Sequence, residues 1–423
     1  MNSPAPIVIV GGGLAGLAAA NALKQRQTPF LLLEASDRWG GRLHTDRLDG
    51  FLIDRGFQVL QTAYPEAQKQ LDYAAQKLRN FQPGALIRTK GRFVEMSDPW
   101  RRPSAALATL FTGVGTLGDR WRLAKLRSRL VRQPVDTILS RPDESTADFL
   151  LKTCGFSRDL VDRFFRPWFS GVFLENQLET SCRFFQFVFK MLAQGDAALP
   201  EEGMQAIPQQ MVARLPAPSL RLNARVERLT ENSVQLDSGE QLAAAGIVLA
   251  TEGSTASRLL GKSGIENLPA ATLRPTEFQS TVCYSFAAPK PPHAMRMLML
   301  NGELSGPIAH MSIPSNVAPS YAPAGKSLVS VTAMVSSRDQ VAALREPVQS
   351  QLRDWFGSQV EQWLLIAESY IPEALPRQLP GSYQPASADY QLAPRLVRCG
   401  DYLGTASING ALLAGRQAVE HLG

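Results

Sequence analysis

Gly11-x-Gly13-x-x-Gly16, set between two apolar runs, constrains this chain more than any other feature. Ile7–Val10 is a short β-branched run, which reads as a buried parallel strand. Leu17–Leu23 is rich in Ala and Leu and reads as a helix. The second apolar run, Phe30–Leu33, ends on Glu34, 18 residues past Gly16. Each glycine has a physical task in such a unit. Gly11 permits the tight turn, Gly13 lets backbone approach a pyrophosphate, and Gly16 lets helix pack closely on strand. The helix N-terminus then faces phosphate, and Glu34 accepts hydrogen bonds from a ribose. Gly113-Val-Gly115-Thr-Leu-Gly118 has the same spacing. It comes after a stretch, Ser104–Thr112, that reads as helix, and no strand ending in an acid lies downstream, so it reads as chance.

The residues just after Glu34 narrow the choice of dinucleotide. Glu34-Ala35-Ser-Asp-Arg-Trp-Gly40-Gly41-Arg42 resembles the extended fingerprint of FAD flavoproteins of the amine oxidase, protoporphyrinogen oxidase and phytoene desaturase superfamily. Two adjacent glycines allow close backbone approach, and a guanidinium suits a phosphate diester or a flavin's polar edge. Near the other end, Gly400-Asp401, then Ser407-Ile408-Asn409-Gly410-Ala411 and Gly415-Arg416, resemble the family's C-terminal flavin segment. There, the resemblance implies, the aspartate meets the ribityl chain or pyrophosphate and the next helix points its N-terminus at the flavin. Ser219–Leu229 resembles the family's inner strand, where the resemblance implies that Val226 holds the adenine through backbone atoms. Ile247–Thr251 matches its "VVLAT" strand, and Asp49–Gln58, with Asp54, Gly56 and Phe57, resembles a turn near the flavin ring. The resemblance thus assigns to FAD the residues Gly11, Gly13, Ala15, Gly16, Glu34, Ala35, Gly41, Arg42, Gly56, Phe57, Val226, Gly400, Asp401, Ser407, Ile408, Asn409 and Ala411. Val226 as plain core and Asp54 as a turn cap remain open alternatives.

The implied fold is α/β: a Rossmann-like, glutathione-reductase-type FAD domain with a mixed-sheet substrate domain and a helical insertion. The FAD domain is assembled from 1–80, 200–265 and 385–423, with a mainly helical region at 81–199 and the substrate sheet at 266–384. Ser145 reads as a helix cap, and Thr281–Phe286 and Ser327–Val335 read as strands. A chain of 423 residues has ample length for this division. Its four cysteines and four histidines show no metal-ligand or paired-thiol spacing, so no metal is expected and a reducing compartment is. Ile7–Leu23 lacks a preceding basic stretch and is explained by the nucleotide fold, so neither a leader peptide nor a spanning helix is expected and the protein reads as cytoplasmic.

The implied activity is hydride abstraction from a hydrophobic small molecule, desaturase-like or porphyrinogen-oxidase-like, with flavin reoxidised by O2 or a quinone. Phe164–Phe173 resembles a protoporphyrinogen oxidase segment, Pro200–Gln205 resembles the turn that leads into the second FAD strand, and Phe184–Met191 adds further aromatics suited to an apolar pocket. Flavin amine oxidases usually carry a lysine in the first substrate-domain strand, but Thr276–Phe286 has none. That weighs against the alternative of amine oxidation. A second alternative, a non-catalytic flavin or substrate carrier, arises from the lack of an evident acid–base pair, and no catalytic side chain is assigned. The net charge of +6 is concentrated at 98–132, where Arg101, Arg102, Arg120, Arg122, Lys125, Arg127, Arg129 and Arg132 alternate with Trp100, Phe111 and Trp121. This stretch reads as a solvated face or as a peripheral membrane contact. Nucleic acid is not an expected partner.

Overall fold

The computed structural model describes residues 5–102, 113–382 and 390–422. The Ser104–Thr112 helix expected from sequence, and Phe111 with it, lie outside these residues. β1 (Ile7–Val10) turns through the glycine motif into α1 (Leu14–Gln25), which returns to β2 (Phe30–Leu33). β1 pairs in parallel with β2 on one side and with Gly246–Leu249 on the other. Leu220–Arg221 adds to β2 and Leu396–Arg398 adds to Gly246–Leu249, both parallel, and Gln391–Ala393 closes the edge antiparallel. Strands covered on both faces must be apolar throughout, and Val8, Ile9, Ile247, Val248 and Leu249 are fully buried.

Sequence suggests one strand across Ser219–Leu229, but the structure makes two. Asn223 takes a left-handed backbone (φ 52°), which breaks the run. Leu220–Arg221 stays in the parallel sheet, while Val226–Leu229 starts a separate antiparallel sheet with Ser233–Leu236 and Gln241–Ala243.

The second large sheet has seven strands, with Leu364–Pro376, Phe278–Ala288, Ser327–Met334 and Ile308–Ser312 in that order, all antiparallel neighbours. Both strands expected from sequence in 270–370 are present. One boundary needs correcting. The region 81–199 reads from sequence as mainly helical, yet Gly84–Thr89 and Arg92–Ser97 form a hairpin that joins this sheet beside Leu298–Leu300. Lys90 and Gly91, with φ of 50° and 73°, make the two-residue turn that matches strand twist, and Ala85 and Ile87 bury alternate positions. The helices of the region begin after it, with Leu117–Arg132, Arg166–Phe173 and Cys182–Gln194. Ser145 caps its helix as expected, accepting from the Asp148 amide.

The far copy of the glycine motif is a helix cap. The Thr116 hydroxyl accepts from the Asp119 amide, and the Asp119 carboxylate accepts from the Thr116 amide. Asp119 also takes the Ser157 amide and hydroxyl, so this helix end already holds its own anion. The basic stretch beside it is largely engaged. Arg101 pairs with Asp196, Arg102 with Glu95, Arg127 with Asp98, and Arg129 reaches Gln186 and lies over Phe149. Leu117, Trp121 and Lys125, one helical turn apart, remain exposed. Among the described residues no helix is long and apolar enough to cross a membrane.

Candidate flavin and substrate site

Gly16 and Gly13 divide the work of the first turn. A Cβ at Gly16 would stand 1.9 Å from the Gly11 carbonyl oxygen, so this glycine sets how closely α1 packs on β1. A Cβ at Gly13 would meet only the Gly41 Cα, at 3.9 Å, so its outer face is open. Gly41, at φ 58°, brings its backbone against Gly13 from the other side. The Glu34 carboxylate is held in place by the Gly12 amide at 2.7 Å and the Ser36 amide at 2.8 Å.

A second helix start meets the first. Ser407 caps Ile408–Glu420, its hydroxyl accepting from the Gly410 amide. A Cβ on Gly415 would lie 2.0 Å from the Ala15 carbonyl oxygen, so the two helices touch backbone to backbone. Both positive helix ends, at Leu14–Ala15 and Ser407–Ile408, therefore line one cavity. Arg42 lines the same cavity, its Nη2 donating to Asp401 Oδ1 at 2.5 Å and its Nη1 to the Ala374 carbonyl at 3.2 Å. Burial works against the guanidinium, but Asp401, together with the charges of Glu252 and Glu373, raises the pKa of Arg42 above its usual value.

The cavity encloses ≈ 610 Å³. Of the residues expected at FAD, Gly13, Ala15, Gly41, Arg42, Gly56, Phe57, Gly400, Asp401, Ser407, Ile408 and Ala411 line it. Gly11, Gly16, Glu34, Ala35, Val226 and Asn409 do not line it. Gly11 and Gly16 close the strand–helix contact, and Asn409 accepts from the Glu66 amide. Val226 packs in a core with Val8, Val10 and Leu33, beside the Ala224 amide that bonds the Glu34 carbonyl. Asp54 is also away from the cavity, bound to Thr45, the Met204 amide and Tyr321. An open Gly13–Gly41 floor, paired helix ends and an amide-held Glu34 together fit a dinucleotide such as FAD.

Beyond this end the cavity is walled by Phe164, Trp168, Phe169, Phe184 and Phe189 from the helices, and by Thr281, Leu298, His310, Thr332 and Ile371 from the seven-stranded sheet. Sequence reasoning passes over His310, because ligand spacing tests for metals and says nothing about a lone imidazole on a strand. Its ring lies edge-on to Phe57, with centroids 5.0 Å apart, and neither nitrogen has a hydrogen-bond partner. No lysine is among the described residues that line the cavity.

Burial displaces two titrations in opposite directions. It raises Asp54 from 3.8 to about 6 and lowers His310 from 6.5 to about 4. Between 3.8 and about 6 the folded state keeps an Asp54 proton that the unfolded chain has lost, so this group's contribution falls as pH rises. Between about 4 and 6.5 the unfolded chain holds a His310 proton that the folded state lacks, so this contribution grows as pH rises. The two offset each other. Asp54→Asn removes one arm, so relative to the unmodified protein it gains stability between about pH 4 and 6.5 by about 2–3 kcal/mol. Urea midpoints at the two pH values measure the difference, and a variant offset equal at both would show an ordinary Asp54.

The chain belongs to the family of flavin containing amine oxidoreductases, whose pattern it matches over residues 14–422. That family is one of flavin-containing oxidoreductases. Coproporphyrinogen III oxidase of Bacillus subtilis is 23% identical over 301 residues, 60% of this chain and 62% of that protein. Rice (Oryza sativa subsp. japonica) polyamine oxidase 3 is 53% identical over 49 residues, 12% of this chain, and the chain spans only 10% of that enzyme's length. Among solved structures, reduced UDP-galactopyranose mutase superposes with a TM-score of 0.72 at 18% identity, covering 99% of this chain and 95% of that one, which is a likeness of fold.

Proposed function

We propose that this enzyme takes hydride from an apolar, ring-containing small molecule, in the manner of a desaturase or a porphyrinogen oxidase, and returns the electrons to O2 or a quinone. The observation that carries the reading is the aromatic chamber opening directly onto the Gly13–Gly41 and Ser407 end of one cavity. Bound FAD supplies the hydride acceptor. Glu34 is the ribose acceptor, Gly13 and Gly41 admit the pyrophosphate, and the Ser407–Ile408 helix end favours negative charge on the reduced ring. Arg42 and Asp401 fix the turn and the C-terminal helix relative to each other. Phe164, Trp168 and Phe169 exclude water and orient the substrate by contact alone. We read the parallel sheet with its small antiparallel attachment as the glutathione-reductase type of Rossmann domain, built from 1–80, 200–265 and 385–423.

Local identity to a polyamine oxidase favours amine oxidation as a second reading. Against it, Asp98, Asp196 and Asp401 on the cavity wall each pair with an arginine, and Glu252, the fourth carboxylate on that wall, acts on the Arg42 guanidinium at the flavin end. The test is anaerobic mixing of the FAD-loaded protein with tetrapyrrole, carotenoid-type and amine donors, read as bleaching of flavin absorbance. Bleaching by an apolar ring donor and not by amines is the expected result. Bleaching by amines alone reverses the order of the two readings, and no bleaching by any donor favours a carrier.

A further inference from the structure

We infer that His310 grips the substrate: its imidazole hydrogen-bonds one neutral polar group, a hydroxyl, carbonyl or ring N–H, on an otherwise apolar molecule. That bond would set which carbon faces the flavin end. The inference rests on the reading of the chamber as the substrate site.

His310 is 2% exposed and lines the cavity, with Nδ1 and Nε2 both unpartnered. Native interiors rarely leave an imidazole so, because each desolvated polar atom without a partner costs free energy. The ring is not an isolated accident. Thr332 stands opposite it in register, also on the cavity wall. Ser312, two residues along the same strand, is a second buried polar group with no hydrogen-bond partner. The other face of this sheet is apolar, with Val282, Tyr284, Val329 and Val331 packed into a core with Val348 and Leu352 of the Arg345–Phe356 helix. The polarity is therefore confined to the side that meets the chamber.

The position is also cleared for the ring. A Cβ on Gly171 would stand 2.4 Å from His310 Nδ1, so only glycine lets the Arg166–Phe173 helix pass at this distance. Phe57 closes against the ring from the flavin side. Among the described residues no carboxylate on the wall is in an ion pair or hydrogen bond with His310: Asp98, Asp196 and Asp401 are each held by an arginine, and Glu252 acts on Arg42 at the flavin end. A neutral imidazole serves equally as donor to an oxygen or acceptor from O–H or N–H. The ligand class is thus an apolar ring system with a neutral hydrogen-bonding group.

The test is calorimetry on the FAD-loaded protein at about pH 7.5, where the ring is neutral, with three matched probes: 1-naphthylmethanol, 1-methylnaphthalene and 1-naphthylmethylamine. The alcohol should bind about three- to tenfold more tightly than the hydrocarbon, the worth of one buried neutral hydrogen bond. The amine should bind no more tightly than the hydrocarbon. His310→Leu should erase the alcohol's advantage, keep the flavin and leave the melting temperature unchanged or higher, because the orphaned polar atoms are gone. His310→Gln should retain part of the preference. A wild-type protein that does not prefer the alcohol, a His310→Leu variant that still does, or one that loses its flavin, overturns the inference. Failure of the functional reading is separable, since it is read from donor bleaching in the unmodified enzyme. Bleaching with an unchanged KM in His310→Leu removes this inference alone.

Discussion

Gly16→Ala will give little or no soluble protein, whereas Gly13→Val will give folded protein that has lost its yellow colour. The two glycines sit three residues apart in one motif, but the added atoms meet different things. At Gly16 the new carbon falls 1.9 Å from a backbone oxygen of the preceding turn, with the Ala250 side chain behind it at 3.4 Å. Neither neighbour is a flexible chain end, so α1 must move off a fully buried sheet. Displacement on that scale costs about 4–5 kcal/mol or more, a large part of the roughly 5–15 kcal/mol that holds a typical domain together. Gly13 has ordinary extended backbone, φ −73° and ψ −178°, and a Cβ there would make only an ordinary contact, 3.9 Å from the Gly41 Cα. A side chain there costs the apoprotein little but occupies the place of a pyrophosphate. Overlap worth about 3 kcal/mol lowers FAD affinity roughly a hundredfold. Melting curves of the apoproteins and the flavin content of purified protein separate the cases. Equal melting losses in both variants would mean that the motif is only a packing device.

Most of the flavin end is legible from sequence because its constraints are local. A strand, a glycine turn, a helix and an acid must succeed one another at fixed spacing, so Gly13 and Glu34 are expected from the order of residue types, whereas Arg42 is expected only from the family resemblance. The same logic rejects Gly113–Gly118, and the structure gives the reason in the Thr116–Asp119 box. The features that stay hidden depend on pairing between distant segments. Nothing near Gly84–Ser97 announces that it will lie beside Leu298–Leu300, although Lys90–Gly91 is a readable hairpin turn. Val226 is expected to meet the adenine through backbone atoms, a role its buried side chain leaves open, but the break at Asn223 that starts its strand cannot be read from the sequence. His310 is invisible for a related reason. Its neighbours Gly171, Thr332 and Phe57 come from a helix, another strand and an N-terminal turn.

Arg42→Ala will destabilise the apoprotein by about 3–5 kcal/mol and leave it unable to retain FAD, and a second substitution will restore the first property without the second. Arg42 joins three parts of the chain. Its own turn is fixed by the Gln58 side-chain amide on its carbonyl at 2.9 Å, its Nη1 bonds Ala374 in the Leu364–Pro376 strand, and its Nη2 bonds Asp401 ahead of the C-terminal helix. The Asp401 side chain is only 6% exposed, against 29% for Arg42. Removing the guanidinium therefore strands a carboxylate in the interior, and a broken buried pair costs about 3–5 kcal/mol. Replacing both partners by apolar groups removes the stranded charge as well. Arg42→Met with Asp401→Leu should accordingly recover most of the loss, because such pairs often contribute little beyond what well-packed apolar groups would. Flavin will not return with stability, since the Arg42 guanidinium is then gone from the cavity wall. Urea midpoints for the two single variants and the pair give the coupling energy, and FAD retention on gel filtration gives the functional half. If Arg42→Ala costs under about 1 kcal/mol, the pair behaves as an exposed one. If the double variant stays yellow, the cofactor is held by the glycine turn and helix ends alone.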